Sequence, residues 1–339
     1  MRLTRRAPLL VAAALALSAL GAGCSAGPAD PDVLVVYNAQ HEDLLKAMTD
    51  AFTAQTGIAV ETRQGGDSDL ANQLVREGAD SPADVFVTEN SPAMALVDNK
   101  GMFAPLEPAV LAAVPPQFTA ADKTWAGFAA RATALVYNPD RLAEAQLPAS
   151  LLDLAKPEWK GRFGYAPAGA DFQAIVAAVY ALVGTERGDA FVRALKDNGT
   201  VYASNFAVMQ AVDSGQIETG VIYHYYWYKD RAAGGDNSRG TKLHFFGGQD
   251  PGAFLSVSGA GVLASSNRSD DARALVEFLT STAGQQALSA SPSLEYSIDS
   301  GVAPNPALPA LSELDPPVVP IAELDGPAVV ERFREVGIL

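Results

Sequence analysis

The strongest constraint on the fold is a repeated unit in which a short apolar run precedes a segment with helical spacing. Residues 33–37 (VLVVY) form a continuous apolar run, as expected for a strand buried on both faces of a parallel sheet. Five apolar residues then recur at helical spacing, namely Leu44, Leu45, Met48, Ala51 and Phe52. Gly57 follows them and is typical of a helix end. The unit returns as a strand over 58–62, a helix over 68–77 and a strand over 84–87, which predicts an α/β fold.

The rest of the chain continues the alternation and is too long for one ordinary domain. A chain of 339 residues suits two lobes of about 100–200 residues each. Further strands are predicted over 129–137, 163–166, 219–223 and 253–258. Further helices are predicted over 172–183, 186–196, 207–213, 270–288 and 327–336. We therefore expect mixed sheets flanked by helices.

Residues 1–24 are excluded from the fold because they resemble a bacterial lipoprotein signal. A basic segment precedes an apolar stretch over 8–20, and small residues lead to Cys24, the only cysteine in the chain. We expect Cys24 to be lipidated and residues 25–32 to tether the domain to the membrane. An ordinary cleaved signal with an incidental cysteine is the alternative. A single cysteine excludes a disulfide within the chain.

The charge balance argues against one common class of partner. The chain has 39 acidic and 24 basic residues and a formal net charge of −15. Phosphate recognition needs clustered Lys and Arg, so we expect no nucleic-acid partner. After the signal, no apolar run reaches the roughly 20 residues that a membrane-spanning helix requires, so we expect neither a channel nor a permease.

Two side chains with metal-binding chemistry follow predicted strands at equivalent positions. His41 follows the first strand, beside a helix start, and Glu89 follows the strand over 84–87. Open α/β sheets bind ligands at the carboxyl ends of their strands. The helix dipole is expected to favour a neutral His41 imidazole with a free lone pair. A single loop histidine is more often only a hydrogen-bonding residue, so the two positions together are better evidence than either alone.

The stretch 221–228 (VIYHYYWY) contains four tyrosines and one histidine. Each buried phenol needs a hydrogen-bond partner, and one bound cation can serve several phenols. A hard cation such as Fe(III) binds phenolate oxygen and displaces the proton that a tyrosine with a pKa of about 10 keeps at neutral pH. The alternative is an aromatic-rich strand and helix start in a core or an interface. The stretch by itself leaves both interpretations open.

Several motifs, in their order along the chain, resemble the bacterial periplasmic ferric-ion-binding proteins, the substrate-binding subunits of iron ABC importers. The motifs are YNAQH at 37–41, PADVFVTE at 82–89, WK at 159–160, YYW at 225–227 and DPGA at 250–253. The resemblance implies a two-lobed periplasmic-binding-protein fold with the ligand cleft between the lobes. We expect an N-lobe of residues 33–130 plus 258–305 and a C-lobe of residues 131–257 plus 306–339.

The resemblance also implies the iron ligands. They are the histidine, the glutamate and the adjacent tyrosines of these motifs, which here are His41, Glu89, Tyr225 and Tyr226. Two phenolates and one carboxylate supply three negative charges for Fe(III), and a neutral imidazole adds a fourth donor. Tyr223 is either a further ligand or a neighbour that only donates a hydrogen bond.

The residues that hold an accompanying anion in many family members are only partly present. The segment 169–171, at a predicted helix start, lacks the family's serine and adds a carboxylate, which favours carbonate over phosphate. Arg131 is expected either to hold such a small anion or to pair with Asp171. The residues assigned to this region are Asn90, Arg131, Gly169, Ala170, Asp171 and Asn205.

The expected function is that of a lipid-anchored extracytoplasmic receptor that binds Fe(III) and delivers it to an ABC permease and its ATPase. The same scaffold serving a small organic or anionic solute is the alternative. We expect a monomer. We expect no enzyme, because the three histidines do not provide a nucleophile and base pair with matching sequence context.

Overall fold

The first part of the chain forms the parallel α/β units that the sequence predicts. The computed structural model describes residues 32–299 and 301–339, so the signal and Cys24 lie outside the described residues. Strand β1 (Val33–Asn38) lies between β2 (Ala59–Gln64) and β3 (Val85–Val87) and runs parallel to both. The helices of this part are α1 (Glu42–Thr56), α2 (Asp67–Glu77), α3 (Ser91–Asp98) and α4 (Pro108–Ala113).

Helix α1 shows how the sequence pattern produces this unit. Four of the five apolar residues at helical spacing are buried, because one face of the helix packs into the core: Leu44, Leu45, Met48 and Phe52. Ala51 is partly buried against the same core. Gly57 follows the helix with a φ of 76°, a left-handed conformation that favours glycine. Because β1 ends at Asn38 and α1 begins at Glu42, His41 lies at the junction between strand and helix.

A long strand, β4 (Ala126–Tyr137), changes its partners along its length. Its first part, up to Ala132, pairs with β9 (Leu255–Val262), which also pairs with β3. From Thr133 onward it pairs with β7 (Thr219–Tyr223) and β8 (Lys242–His244). The order of the main strands is β2-β1-β3-β9-β4-β7-β5-β6, in which β5 is Phe163–Tyr165 and β6 is Thr200–Val201. The short strand β10 (Tyr296–Ser297) pairs with the first part of β4.

Helices cover the second part of the sheet and the C-terminal region. Those after β4 are α5 (Ala170–Val183), α6 (Thr185–Asn198), α7 (Asn205–Asp213) and α8 (His224–Ala232). The later ones are α9 (Ser269–Thr280), α10 (Thr282–Ala290) and α11 (Gly326–Val336). Among the described residues, no helix is both long enough and apolar enough to cross a membrane.

The two largest groups of buried apolar residues lie on either side of the partner change in β4. One contains residues of β1, α1, the first part of β4, β9 and α9, for example Leu34, Phe52, Phe128 and Leu275. The other contains residues of the second part of β4, α5, α6, β7 and α11, for example Leu135, Phe172, Val221 and Phe333. Each half of the sheet therefore has its own core.

The prediction of one helix over 270–288 is wrong. The segment forms α9 and α10, which are separated at Ser281. Ser281 has an extended backbone (ψ 159°), and its Oγ accepts a hydrogen bond from the backbone N–H of Gly284 at 3.2 Å. A serine that caps a new helix replaces the helical hydrogen bonds lost at the break, and apolar spacing does not reveal such a break.

Candidate metal centre

Three of the predicted ligands reach the site from junctions between strands and helices. His41 directly precedes α1, and Glu89 follows β3. Because β1 and β3 are parallel neighbours, their carboxyl ends lie at the same edge of the sheet. Tyr225 lies in the first turn of α8, which begins directly after β7. Tyr226 is the next residue of the same turn.

Tyr225 and His41 approach one carboxylate oxygen of Glu89, and Tyr226 packs beside them. The Tyr225 hydroxyl donates to Oε1 of Glu89 at 3.1 Å, and Nε2 of His41 lies 3.9 Å from the same oxygen. The imidazole of His41 packs edge-on against the Tyr225 ring, with 4.9 Å between their centroids. The Tyr226 ring packs on the Tyr225 ring at 4.2 Å. The structure thus brings the four predicted ligands together.

The Asp171 carboxylate is a second centre of contacts beside them. It lies in the first turn of α5, directly after Ala170 and the N-cap residue Gly169. Its Oδ1 accepts from the side-chain amide of Asn90 at 3.2 Å. Its Oδ2 accepts from the amide of Asn205 at 2.7 Å and from the Tyr226 hydroxyl at 3.0 Å. Both predicted asparagines therefore bind Asp171.

Tyr223 is fully buried, and its hydroxyl has a different partner from those of Tyr225 and Tyr226. Its hydroxyl donates to the backbone oxygen of Asp171 at 3.3 Å. The Arg131 guanidinium lies over its ring, 5.8 Å from the centroid. In this arrangement Tyr223 donates a hydrogen bond and covers Arg131.

Arg131 is completely buried and pairs with carboxylates other than the predicted Asp171. Its Nη1 lies 3.2 Å from Oε2 of Glu295 and 3.9 Å from Oε1 of Glu89, and it donates to Oγ of Ser258 at 3.0 Å. Of the two alternatives expected for Arg131, an anion or Asp171, the pairing with Asp171 is therefore wrong. Nε and Nη2 of Arg131 are buried donors without a hydrogen-bond partner among the described residues.

Burial and neighbouring charges shift the protonation of the site. Burial and the nearby Asp171 carboxylate raise the pKa of Glu89 to about 8. Burial, Asp171 and Glu89 also raise the pKa of Tyr225 well above its ordinary value. Burial is the main cause of the same upward shift in the pKa of Tyr226. Without a cation, these groups keep their protons at neutral pH.

The expectation that the helix dipole favours a neutral His41 did not take into account the nearby carboxylates of Glu295 and Glu89. Burial lowers the pKa of His41, but the hydrogen bond to Glu295 and the charge of Glu89 outweigh burial and raise it above its ordinary value. At Glu295, burial raises the pKa, while Arg131 and His41 lower it, with a net downward shift. Both carboxylates therefore act against the neutral imidazole that the helix end favours.

Sequence reasoning missed two residues that organise the site. Glu295 is buried behind His41, with its Oε1 3.3 Å from Nδ1 of the imidazole. Asp67 accepts from the backbone N–H groups of Glu89 and Asn90 at 2.9 and 3.0 Å and so holds the turn that carries Glu89. An acidic residue at the start of α2 was the only local signal for Asp67. Glu295 is 254 residues from His41 in sequence and had no local signal.

Within the described chain, no group of three or more His, Cys, Asp and Glu side chains is arranged to hold a metal ion. His41 and Glu89 complete a candidate donor set only together with the phenol oxygens of Tyr225 and Tyr226. Phenolate and carboxylate are hard oxygen donors, so this set suits a hard cation better than the softer metals that prefer sulfur and nitrogen.

Comparisons with known proteins agree on the family and the fold. The profile of a family described as bacterial extracellular solute-binding protein matches residues 80–313. The Fe(3+)-binding periplasmic protein of Serratia marcescens is 51% identical over 100% of this chain and 99% of its own length. The major ferric iron-binding protein of Neisseria meningitidis is 37% identical over 90% of this chain and 89% of its own length.

A solved structure supports the same conclusion. Iron-bound HitA from Pseudomonas aeruginosa superimposes with a TM-score of 0.84 at 41% identity, covering 91% of this chain and 100% of that structure. The expected two-lobed periplasmic-binding-protein fold is thereby confirmed.

Proposed function

Because the chain belongs to the family of bacterial extracellular solute-binding proteins, we propose that it captures Fe(III) in the cleft between its lobes. The proposed ligands are His41, Glu89, Tyr225 and Tyr226. Relatives whose names state ferric binding match nearly the whole chain, which supports iron as the solute. In this proposal Fe(III) is cargo, and the protein transforms nothing.

The observation that carries the proposal is an excess of acidic groups around the site. Three carboxylates next to it are almost completely buried, namely those of Asp67, Asp171 and Glu295, and the Glu89 side chain is only 18% exposed. Arg131 is the only arginine or lysine buried among the described residues, and Glu295 already pairs with it at 3.2 Å. Buried charges need partners or a metal. A trivalent cation would compensate the Glu89 carboxylate and the two phenolates together.

The lobe boundaries that we propose are those expected from the sequence, 33–130 plus 258–305 and 131–257 plus 306–339. The change of partner in β4 between Ala132 and Thr133 supports a boundary there. The contacts from Tyr225 to Glu89 and from Asn90 to Asp171 then cross the cleft. The ion pairs of Arg131 with Glu295 and Glu89 cross the same boundary. A metal bound to both lobes would hold the cleft closed in the same way.

An accompanying anion, if one binds, is proposed to be carbonate. Asp171 already occupies the amides of Asn90 and Asn205, so a phosphate would meet a carboxylate there. Arg131 retains two buried donors, Nε and Nη2, on one edge of its guanidinium. That edge suits a planar anion that presents two of its oxygens side by side, as carbonate can.

The proposed cellular role follows from the family. Solute-binding proteins of this kind act outside the cytoplasm, and we propose that this one passes iron as a monomer to an ABC permease and its ATPase. Lipidation of Cys24, followed by the tether over 25–32, would keep the receptor at the membrane.

The test is a titration of the purified protein with chelated Fe(III), followed by visible absorption and metal analysis, with and without bicarbonate. We expect a phenolate-to-iron charge-transfer band that is lost on acidification, because protons compete for every proposed ligand. Bicarbonate should increase affinity more than phosphate does. A protein that stays colourless and contains no metal would refute the iron proposal and favour an organic or anionic solute.

A further inference from the structure

The segment that leads into β10 places one buried carboxylate behind the imidazole of His41. Glu295 is 1% exposed and directly precedes Tyr296, which pairs with Ala130 of β4. None of the predicted donors lies in this segment. Burying a carboxylate costs free energy unless it is paired and hydrogen-bonded, so the partners of Glu295 indicate its role.

The two oxygens of Glu295 have different partners. Oε1 lies 3.3 Å from Nδ1 of His41. Oε2 accepts from Nη1 of Arg131 and from the side-chain amide of Gln40, both at 3.2 Å. The amide oxygen of Gln40 lies 2.9 Å from the same Nδ1 of His41. Nδ1 therefore has two acceptors within reach. One is Oε1 of Glu295, and the other is the amide oxygen of Gln40, whose amide nitrogen donates to Glu295.

The backbone at this point is also unusual. Leu294 has a φ of 57°, a left-handed conformation that a leucine seldom adopts, and its side chain is buried. Such conformations cost about 1–3 kcal/mol and persist where the surrounding structure fixes them, often at functional sites. The strained residue directly precedes Glu295, and the pairing of Tyr296 with Ala130 fixes the chain directly after it.

We propose that Glu295 is a positioning residue for iron capture, which accepts the Nδ1–H of His41 and thereby leaves Nε2 unprotonated and directed toward Glu89. This inference rests on the proposed function, in which Nε2 binds Fe(III). Nε2 already lies on the side of Glu89, 3.9 Å from its Oε1. A carboxylate behind a metal-binding histidine fixes the tautomer and the ring orientation and increases the basicity of the donor nitrogen.

A competing role for Glu295 is to neutralise the buried Arg131 and nothing more. The two roles differ in their dependence on His41. If Glu295 acts through the imidazole, its substitution should have no effect on iron affinity once His41 is absent. If it acts only through Arg131, the effect should persist without His41. A double-mutant cycle separates the two cases.

The experiment measures Fe(III) affinity by chelator competition for the parent, Glu295→Leu, Glu295→Gln, His41→Ala and the two double variants. We expect Glu295→Leu to weaken binding by about 10–100-fold, as is typical for loss of such a partner. Glu295→Gln, which keeps an acceptor oxygen, should lose only several-fold. On the His41→Ala background neither substitution should change affinity by more than about two-fold, within the usual error of additivity.

A spectroscopic measurement separates positioning from loss of fold. Pulsed electron paramagnetic resonance of the iron-loaded parent should show coupling to an imidazole nitrogen. Glu295→Leu should weaken this coupling and keep the phenolate band. If Glu295→Leu does not fold, Glu295→Gln carries the cycle alone. Equal losses with and without His41, or no loss in the parent, would overturn the inference, while a parent without any band would refute the proposed function itself.

Discussion

The two sides of the candidate metal centre are held in different ways. On the side of β1 and β3, a buried ion pair of Arg131 and Glu295 lies behind His41, with its charged atoms 3.2 Å apart. On the side of α8, the hydroxyls of Tyr225 and Tyr226 donate to the carboxylates of Glu89 and Asp171. One side is fixed by charges that exist before metal arrives. The other consists of neutral phenols.

This difference indicates a division of tasks during iron capture. The His41 side supplies donors whose orientation is already set. The phenols must lose protons before they contribute charge, and their pKa values are raised in the metal-free protein. Metal binding and proton release are therefore coupled mainly through the α8 side.

The largest effect is expected from the phenols. Tyr225→Phe and Tyr226→Phe should each reduce Fe(III) affinity by well over roughly 100-fold. Loss of a residue that only hydrogen-bonds to a metal ligand costs up to roughly that factor. Each substitution removes a bond and a negative charge, whereas water can replace the neutral imidazole in His41→Ala. Chelator competition gives the affinity, and pH measurement in weak buffer gives the protons released per iron, which should decrease.

Tyr228→Phe is the matched control for these variants. It removes a hydroxyl from the same helix, two residues after Tyr226, and should leave the visible band and the affinity unchanged. Tyr223→Phe should also keep most of the band, because its hydroxyl contacts the backbone of Asp171. A large loss of the band in Tyr223→Phe would instead make Tyr223 a ligand. Full affinity in both Tyr225→Phe and Tyr226→Phe would contradict the division of tasks.

An intermediate effect concerns the stability of the metal-free protein. Glu89 has a pKa of about 8, above its ordinary value of 4.5, so between these values the folded state keeps a proton that the unfolded state has lost. Stability should therefore fall as pH rises from about 5 to 8. Glu89→Gln should remove this contribution. The melting temperature of Glu89→Gln, relative to that of the parent, should therefore rise by at least about 2–4 °C over that pH range. This is the shift that about 1 kcal/mol of unfolding free energy produces.

Thermal unfolding in metal-free buffer at several pH values measures this dependence. Glu61→Gln is a suitable control, since Glu61 lies on the exposed strand β2, away from the site. Parallel pH profiles for the parent and Glu89→Gln would show that Glu89 is ionised before iron binds, and the proton release on iron binding would then come from the phenols alone.

The smallest effect is expected at an ion pair that joins the two sides at the surface. Nζ of Lys229, on α8, lies 2.8 Å from Oδ2 of Asp43, on α1. Their side chains are 34% and 41% exposed, so the pair should contribute only about 0.2–1 kcal/mol. Lys229→Ala should therefore speed iron release to a chelator by no more than about five-fold.

Two further measurements sharpen this prediction. The effect of Lys229→Ala should shrink at high salt, because exposed charges are screened. Exchange of the two charges in Asp43→Lys combined with Lys229→Asp should restore slow release. Lys46→Ala is the control, since within the described part of the chain Lys46 pairs with Asp50 on its own helix. A release rate that is the same in Lys229→Ala and the parent at low salt would show that the pair does not hold the two sides together.

Much of the fold could be predicted because its signals are local. The apolar run at 33–37, the helical spacing up to Gly57 and the strand over 219–223 all formed with nearly the predicted bounds. The equivalent positions of His41 and Glu89 followed from the same pattern, since parallel strands end at one edge of the sheet. The break at Ser281 was missed because a capping hydrogen bond, rather than the apolar spacing, decides it.

The sequence by itself determined the order of strands and helices and the chemical types of the donors. Only the tertiary structure decided which charges meet. Arg131 pairs with Glu295, which is 164 residues away along the chain, and not with Asp171, one of the two alternatives expected for it. Glu295 reaches His41 only because β10 pairs with β4. Such contacts depend on how strands close into a sheet, and neither residue type nor spacing within one segment carries that information.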